Sequence, residues 1–529
     1  MSDGIVLVGP PGAGKSSIGR SLAAAMGRRF VDTDELIAGP NGNAGDRMRA
    51  LGEPAFRETE ARAISDALAD ATAVIATGGG ALDDPLNRWR LWHHGVTLRL
   101  DAPDHVLLAR LAADPVERPL LDGDPVAAMA GLRQRREAFY RAADIHVDTD
   151  ASRDRIVGNL VDQFSAGTAV DGRPRRLFDA RVSRHHVIGP TMARLVYGRR
   201  LQPTLLTEML AGVGGDPAFI VDAKVTQVAA PQPERTLVLR GGEANKRMAS
   251  LRRVLEWMAA QRVERSDPVA AIGGGSIGDL AGLAAALYAR GIPWIDVPTT
   301  WLSQADAALG GKVAVNLRAG KNAVGAFWPP SAVVADVDVL DSLPRREARN
   351  GMAESVKAAL VGDPVLWRLI EDRGSTAIDG DEEARYAIIE RAARVKMAIV
   401  DRDPFEADER RQLNLGHTIG HALEVVARYR LPHGAAVALG LCVAAQLGAV
   451  RGGDPELPSR LGALVQELGF AIRHPGDPRA VRDALGADKK RRAGRQRWIL
   501  PMAIGQVIEV DDVTDAELDM ALRCIGIGA

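Results

Sequence analysis

Two stretches of the chain carry residue types at spacings that do chemistry. In LNLGHTIGHALEVV, residues 413–426, His417 and His421 sit four apart among apolar neighbours that suit a helix. Two imidazoles one turn apart grip a metal ion, or are half-buried polar residues of a packed helix; the spacing leaves both open. In IVLVGPPGAGKSSIGRSL, Gly9, Gly14, Lys15 and Ser16 fit GxxxxGK[ST] between an apolar strand and a helix pattern. Glycine N–H groups in such a loop close around phosphate oxygens, where the helix presents the positive end of its dipole. Lys15 would reach the outer phosphates and Ser16 would hold Mg²⁺. The base-reading signature NKxD of GTPases is absent, which favours a kinase or ATPase.

Further carboxylates and cations follow. Asp32 and Asp34 in FVDTDEL lie two apart after a short strand and point the same way. One suits Mg²⁺ through water and the other an acceptor hydroxyl; a turn with a helix N-cap is the alternative. PVAAIGGGSIGDLAG sets Gly273, Gly275 and Gly278 as GxGxxG between a strand and a helix, the setting for a pyrophosphate. The usual rule, an acid about 20 residues on, picks Asp296 in WIDVPTT. Lys312 in GGKVAVN, and Lys321 and Asn322 in GKNAVGAFWPP, lie in Gly-rich stretches read as turns. There a lysine binds phosphate or a hydroxyl, or is simply a surface lysine. Glu354 and Lys357 share a helix face, as a functional pair or an exposed salt bridge. Arg410, Asn414, His417, His421 and His433 form a further series. Imidazoles with a carboxylate from another helix suit Zn²⁺. Thr418 stands where HExxH has its glutamate, so a zincin-type protease is disfavoured.

These residues need an α/β scaffold. Strand and helix patterns alternate over residues 1–164, a polar Gly/Pro-bearing stretch at 165–178 reads as a linker, and a second α/β region covers 179–335. AFIVDA, TLVLRGG, PVAAIGGG, WIDVPTT and AVVADV are its strands. From 336 to 529 strand signals fade and helical patterns dominate. The chain has 529 residues, 46% apolar and 26% charged, with a net charge of −1 that gives no pull toward nucleic acid or membrane. Its two cysteines, Cys442 and Cys524, lie in apolar-periodic stretches and suggest no disulfide framework. No signal peptide and no uninterrupted bilayer-length apolar run is evident, so a cytoplasmic, enzyme-like protein is expected.

GPPGAGKSS, DTD, GEPAFRETE, VIATGGG, ERPLL and RREAFYRAAD occur in the order found in shikimate kinase, which residues 1–164 resemble. The resemblance implies a P-loop fold using ATP with Mg²⁺. Gly9, Gly12, Ala13, Gly14, Lys15, Ser16 and Ser17 would hold the nucleotide, with Asp32 on Mg²⁺ through water. It implies that Asp34, Arg57, Arg136, Gly78, Gly79 and Gly80 hold shikimate, and that Arg118 sits on a mobile lid. An arginine fork suits the shikimate carboxylate, an aspartate its hydroxyls, and bare glycine a close approach. GPNGNAGDRMRAL, residues 39–51, departs from the more apolar helix of that family, which implies an irregular substrate-side helix.

GGEANK, GGGSIGDLAG, VPTT, SQADAALGGKVAVN, GKNAVGAF, LPRREARNGMAESVK, RRQLNLGHTIGHALE and ADKK resemble 3-dehydroquinate synthase, from 179 to near the C-terminus. The resemblance implies an NAD-binding α/β domain followed by a helical metal-binding domain. NAD⁺ would contact Asp222, Glu243, Lys246, Gly275, Ser276, Ile277, Gly278, Asp279, Thr299 and Thr300, with Lys312, Lys321 and Ser342 also on the cofactor side. Asp222 then replaces Asp296 as the adenosine-side acid. Glu354, His417 and His433 would bind Zn²⁺ or Co²⁺. Asp306, Lys312, Lys321, Asn322, Lys357, Lys396, Arg410, Asn414, His421 and Lys489 would face the substrate. The pair at 417 and 421 is thus divided between metal and substrate. Val313, Ala314 and Ser342 depart from that family's usual Thr, Gly and Thr without removing a charge.

The implied reaction converts the sugar acid phosphate DAHP to 3-dehydroquinate and phosphate by oxidation, elimination, re-reduction and aldol closure, regenerating NAD⁺. Small-molecule substrates, no nucleic acid or membrane, and a homodimer through the synthase half are expected. The rivals are a related small-metabolite kinase in the first half, and a polyol dehydrogenase or a different sugar-phosphate cyclase in the second.

Overall fold

The structure is a computed structural model describing residues 4–39, 42–113, 124–165, 175–186, 189–201, 204–226, 233–318, 320–491 and 496–528. The chain divides into two compact units, Met1–Ala180 with Val196–Arg200, and Arg181–Leu195 with Leu201–Ala529.

In the first unit, β1 (Gly4–Val8), β2 (Phe30–Asp32), β3 (Val74–Ala76), β4 (Gly95–Asp101) and β5 (Ile145–Asp148) form a parallel sheet in the order β2-β3-β1-β4-β5. A parallel sheet is covered on both faces, so its strands read as unbroken apolar runs; β1 is buried throughout. Ile18 and Leu22 of helix Lys15–Met26 and Leu160 and Phe164 of helix Arg153–Ser165 share one core with Ile5 and Leu7. The departure at residues 39–51 shows as a break: one helix stops at Ala38, a second, Ala44–Leu51, buries no residue, and Gly52 at φ +75° precedes a third, Glu53–Ala67.

Part of the expected linker, 165–178, is strand. β6 (Arg175–His186) begins inside it, and Ser165 closes the preceding helix. The basic run RPRR masked Leu177 and Phe178, which are buried. β7 (Gly189–Arg199), β8 (Ala218–Asp222), β9 (Thr236–Leu239), β10 (Val269–Gly273), β11 (Trp294–Pro298), β12 (Lys312–Leu317), β13 (Gly320–Phe327) and β14 (Ala332–Asp336) follow. The large sheet runs β6-β7-β14-β11-β10-β8-β9 and is parallel from β14 to β9. Ile277, Leu280 and Ala284 of helix Gly275–Leu287 bury against Val269 and Ala271 of β10.

β12 and β13 form a separate antiparallel hairpin. Lys312 and Lys321, read from sequence as turn residues, therefore lie on strands, because the flanking glycines sit at the ends of a hairpin whose Val313 and Val315 are core. From Arg345 on the unit is helical, apart from the hairpin of β15 (Trp498–Ala503) and β16 (Gln506–Val510). Helix His433–Val450 passes a length-and-composition test for crossing a membrane, with 72% of it buried inside the protein. Gln446 interrupts its apolar run, which is why no such stretch stands out in the sequence.

Candidate active sites

The first site is built on β1 and the loop after it. Gly9 adopts φ +145°, and a side chain there would meet Leu100 O at 2.1 Å. Gly14 caps helix Lys15–Met26 in the left-handed conformation with no side-chain cap, so the first helical N–H groups are left for an anion. Gly12, Ala13 and Ser17 complete the turn, Ser17 Oγ donating to Gly14 O at 3.2 Å, and Ser16 is exposed. Lys15 Nζ folds back on the loop, donating to Gly9 O at 2.8 Å and Pro10 O at 3.1 Å. Asp32 is buried and caps the next helix, accepting from Asp34 N at 2.9 Å.

The three glycines after β3 lie against the expected acceptor residues. A Cβ on Gly78 would stand 2.5 Å from Asp34 Oδ1, on Gly79 3.7 Å from Arg136 Nη1, and on Gly80 2.0 Å from Arg57 Nη1. Glycine at 78 and 80 is what lets the Asp34 carboxylate and the Arg57 guanidinium approach this turn, while at 79 the contact with Arg136 is an ordinary one. Two acids missed in the sequence anchor the arginines. Glu60 accepts from Arg57 at 2.8 Å, and Asp83 accepts from Arg136 Nη2 at 2.7 Å. Glu60 stands three residues from Arg57, a helical-face spacing that could have found it; Asp83 carries no local signal. Burial pushes the Glu60 carboxyl up against the pull of Arg57, while Asp83 holds the Arg136 guanidinium above its usual range despite burial. Arg136 Nη1 is buried beside Gly79 and has no hydrogen-bond partner by distance and angle among the described residues. Arg118 lies outside the described residues.

The second site gathers at the carboxyl ends of β8, β10 and β11, where open α/β sheets take ligands. Asp222 ends β8 and accepts from Lys224 N at 3.1 Å and Gly241 N at 3.2 Å. Helix Gly275–Leu287 starts after β10 with no side-chain cap, and Ser276 Oγ accepts from Gly242 N at 2.7 Å. Thr299 N donates to Gly273 O at 2.9 Å, and Thr300 Oγ1 donates to Ser303 Oγ at 3.1 Å. Ile277 packs in the core and Gly278 touches Asp296. Glu243 accepts from Asn316 Nδ2 at 2.7 Å, and Lys246, buried, pairs with Asp279 and donates to Asn322 Oδ1. Asp296, the acid picked by the spacing rule, lies in mid-strand, level with Ala271, buried behind the glycine turn where it lines a small space with Gly275, Gly278, Asp279 and Lys312. Burial, then Asp279, pushes its carboxyl up to about 8.

Helix Arg345–Gly362 carries Glu354, helix His417–Val426 starts with His417, and helix His433–Val450 starts with His433. Glycines let these elements touch. A Cβ on Gly440 would lie 2.0 Å from Gly416 O, and one on Gly434 2.5 Å from the Asn350 backbone. The result places Glu354 Oε1 3.3 Å from His417 Nε2 and 3.2 Å from His433 Nε2. These three ligand atoms lie within 4.8 Å of one another, and one carboxylate with two imidazoles fits Zn²⁺ or Co²⁺. The His421 ring is 5.4 Å from that of His417, and desolvation, then His417, lowers its pKa to about 4.

Glu424, missed in the sequence, stands behind the triad, its Oε1 3.4 Å from His433 Nδ1 and 3.1 Å from Lys321 Nζ. It lies three residues from His421 on the same helix, again a readable spacing. On the other side Lys357 Nζ is 2.5 Å from Glu354 Oε2 and 3.6 Å from Asp306 Oδ1, and Lys396 Nζ is 3.1 Å from Asp306 Oδ1. Burial lowers Lys396 to about 8 against the pull of Asp306, whereas Asp306 and Glu354 hold Lys357 above its usual range despite burial. Glu406, a non-glycine residue at φ +59° and also missed, pairs with Lys312 and accepts from Asn414 Nδ2 at 3.1 Å. Arg410 Nη2 donates to Gly310 O at 3.0 Å. Ser342 is exposed, with its hydroxyl on Val339 O of its own turn. Lys489 lies on helix Pro478–Arg491, and its side chain is outside the described residues.

Fold and site geometry thus define a phosphate-loop α/β unit with an acceptor cradle, joined to an α/β unit with a dinucleotide crevice beside a metal-ligand set. Residues 11–165 match the shikimate kinase family model, residues 236–350 that of the 3-dehydroquinate synthase N-terminal region, and residues 351–491 that of its C-terminal region. A 3-dehydroquinate synthase of Roseobacter denitrificans is 42% identical over 296 residues, 54% of this chain and 80% of that one. A 2-epi-valiolone synthase of Actinosynnema mirum is 39% identical over 291 residues, 54% of this chain and 76% of that one. Among solved structures, the 2-epi-5-epi-valiolone synthase ValA of Streptomyces hygroscopicus, with NAD⁺ and Zn²⁺ bound, superimposes with a TM-score of 0.58 at 32% identity, covering 63% of this chain and 96% of that one. The chain belongs to the 3-dehydroquinate synthase family and carries a shikimate kinase domain ahead of it, so a kinase and a cyclising lyase are fused.

Proposed function

We propose that the chain catalyses two reactions of the shikimate pathway: phosphorylation of shikimate by MgATP, and cyclisation of DAHP to 3-dehydroquinate with release of phosphate. The kinase occupies residues 1–164; the synthase occupies an NAD-binding part, 179–335, and a helical part, 336–529. The observation that carries the second activity is the Glu354–His417–His433 set flanked by Lys357 and Lys396.

In the kinase half the loop N–H groups and Lys15 bind the phosphates, and Ser16 and Asp32 serve Mg²⁺. Asp34 takes the acceptor hydroxyl, Arg57 and Arg136 take the carboxylate, and Gly78 to Gly80 let the ring close in. Arg118 reaches the phosphates on closure. In the synthase half Asp222, Glu243, Lys246, the turn Gly275–Asp279, Thr299 and Thr300 hold NAD⁺, and Glu354, His417 and His433 hold the metal. When bound, NAD⁺ supplies hydride chemistry and the Zn²⁺ or Co²⁺ ion polarises a substrate hydroxyl. Lys312, Lys357, Lys396, Arg410 and Asn414 bind the two anionic groups and stabilise charge that develops beside the new ketone. His421 faces the substrate near its phosphate, with Asp306, Lys321, Asn322 and Lys489 around it. The Glu424 carboxylate turns the Nε2 lone pair of His433 toward the metal. The protein acts on small molecules in the cytoplasm as a homodimer through its synthase half.

The test is direct. Purified protein with DAHP, NAD⁺ and Zn²⁺ should release phosphate and form 3-dehydroquinate; with shikimate and MgATP it should form shikimate 3-phosphate. Failure of either reaction in folded protein removes that half of the reading. The valiolone synthase relatives favour a second reading of the synthase half, as a cyclase of sedoheptulose 7-phosphate. Turnover of that sugar phosphate in preference to DAHP would select it.

A further inference from the structure

Beside the synthase site, and sharing none of its proposed ligand-binding side chains, the second unit contains a cleft enclosing about 590 Å³ of space, part of it open to solvent. Its walls are apolar: Leu195 of β7, Phe327 of β13, Val333 of β14, and Met397 and Val400 of helix Glu382–Arg402. It lies between the large sheet and the helical part of that unit. Phe327 and the neighbouring Phe405 are both among the exposed large apolar residues, their rings 5.4 Å apart, so apolar surface continues beyond the cleft.

Two charges define what it would take. Arg184 lines the cleft, half-buried, with Nε donating to Thr191 Oγ1 at 2.9 Å and Nη1 to Ser331 Oγ at 2.8 Å. Both partners are neutral, and among the described residues no carboxylate pairs with it; burial lowers its pKa with no acid opposing. A guanidinium drawn from water onto hydroxyls keeps its capacity for a carboxylate fork. Asp401, exposed, lines the same cleft and repels a second negative charge.

We propose that this cleft binds a small monocarboxylate with an apolar, ring-sized body, its carboxylate on Arg184 and its body between Leu195, Phe327 and Met397. The occupant would also press on Arg410, because Gly310 lines the cleft and its carbonyl accepts from Arg410 Nη2, while the Arg410 guanidinium lies 6.0 Å from the Phe327 ring centroid. That second effect rests on the proposed synthase reaction; binding does not.

Calorimetric titration of the full chain with cyclohexanecarboxylate, cyclohexanol and 1,2-cyclohexanedicarboxylate separates the outcomes. The monocarboxylate is expected to bind about tenfold or more tightly than either analogue. Arg184→Gln should remove that preference, Arg184→Lys should restore part of it, and Leu195→Trp should fill the cleft and abolish binding, all with melting like the parent. Equal binding of acid and alcohol, unchanged affinity in Arg184→Gln, absence of binding, or displacement of the acid by DAHP overturns the proposal. If the acid binds through Arg184 but no DAHP turnover exists for it to alter, the synthase reading fails and the site stands.

Discussion

The two candidate sites solve one problem, holding anionic substrates, by different means. The kinase site relies on one contiguous loop, Gly9–Ser17, whose backbone N–H groups carry no side-chain desolvation cost. Its two arginines sit on acids of nearby turns, Arg57 on Glu60 and Glu53 and Arg136 on Asp83. The synthase site buries Lys357, Lys396 and Arg410, leaves Lys312 and Lys321 exposed, and balances its lysines largely on carboxylates far away in sequence. Lys357 and Lys396 share Asp306, Lys312 and Asn414 share Glu406, and Lys321 and His433 share Glu424. A charge buried without such a partner costs several kcal/mol, so the second site stands or falls as a network while the first is built piecewise.

The comparison is broken most directly by single-site variants. Lys15→Ala is expected to lower shikimate phosphorylation by roughly 10³-fold and leave DAHP consumption unchanged. His417→Ala should do the reverse, with loss of bound metal read by elemental analysis. If either folded variant silenced both reactions, the sites would be coupled. Chelation followed by return of Mg²⁺ alone should abolish DAHP consumption and spare the kinase, and joint loss would undo the division of metals. His421→Ala should retain the metal and lose turnover.

A smaller effect tests the network idea. Glu424→Gln should weaken metal binding by about 10–100-fold in competition with a chelator, without changing the kinase. Metal affinity equal to the parent's would show that Glu424 does not orient His433. The smallest effect concerns Asp296, whose folded pKa of about 8 lies above its unfolded value of about 3.9. As pH rises between these values the unfolded chain releases a proton that the folded chain retains, so the Asp296 contribution to stability falls and then levels off. Asp296→Asn should therefore gain melting temperature relative to the parent across that window, and a difference that stays flat with pH would mean an ionised Asp296 in the fold.

Much of this was legible in the sequence where the physics is local. The strands β8, β9, β10, β11 and β14 are short apolar runs beside Gly-rich turns, and the phosphate loop is contiguous. The hairpins β12–β13 and β15–β16 were hidden because their second strands, β13 and β16, bury no residue and so lack an apolar run. Glu60 and Glu424 lie three residues from Arg57 and His421 and so had a readable signal. Glu406 had none, because its partner Lys312 is 94 residues away.

The sequence alone determined which residues are neighbours along one helix or one loop, since backbone geometry fixes that at three or four positions. It therefore set His417 beside His421, Glu354 beside Lys357, and Lys15 directly after the glycine loop. Tertiary structure decided which of those neighbours act together. Helices approach closely at Gly440 and Gly434, and that contact brings His417 to Glu354 and His433 and leaves His421 beside them. Ligand sets of this kind depend on distances across helix crossings, which no spacing along the chain encodes.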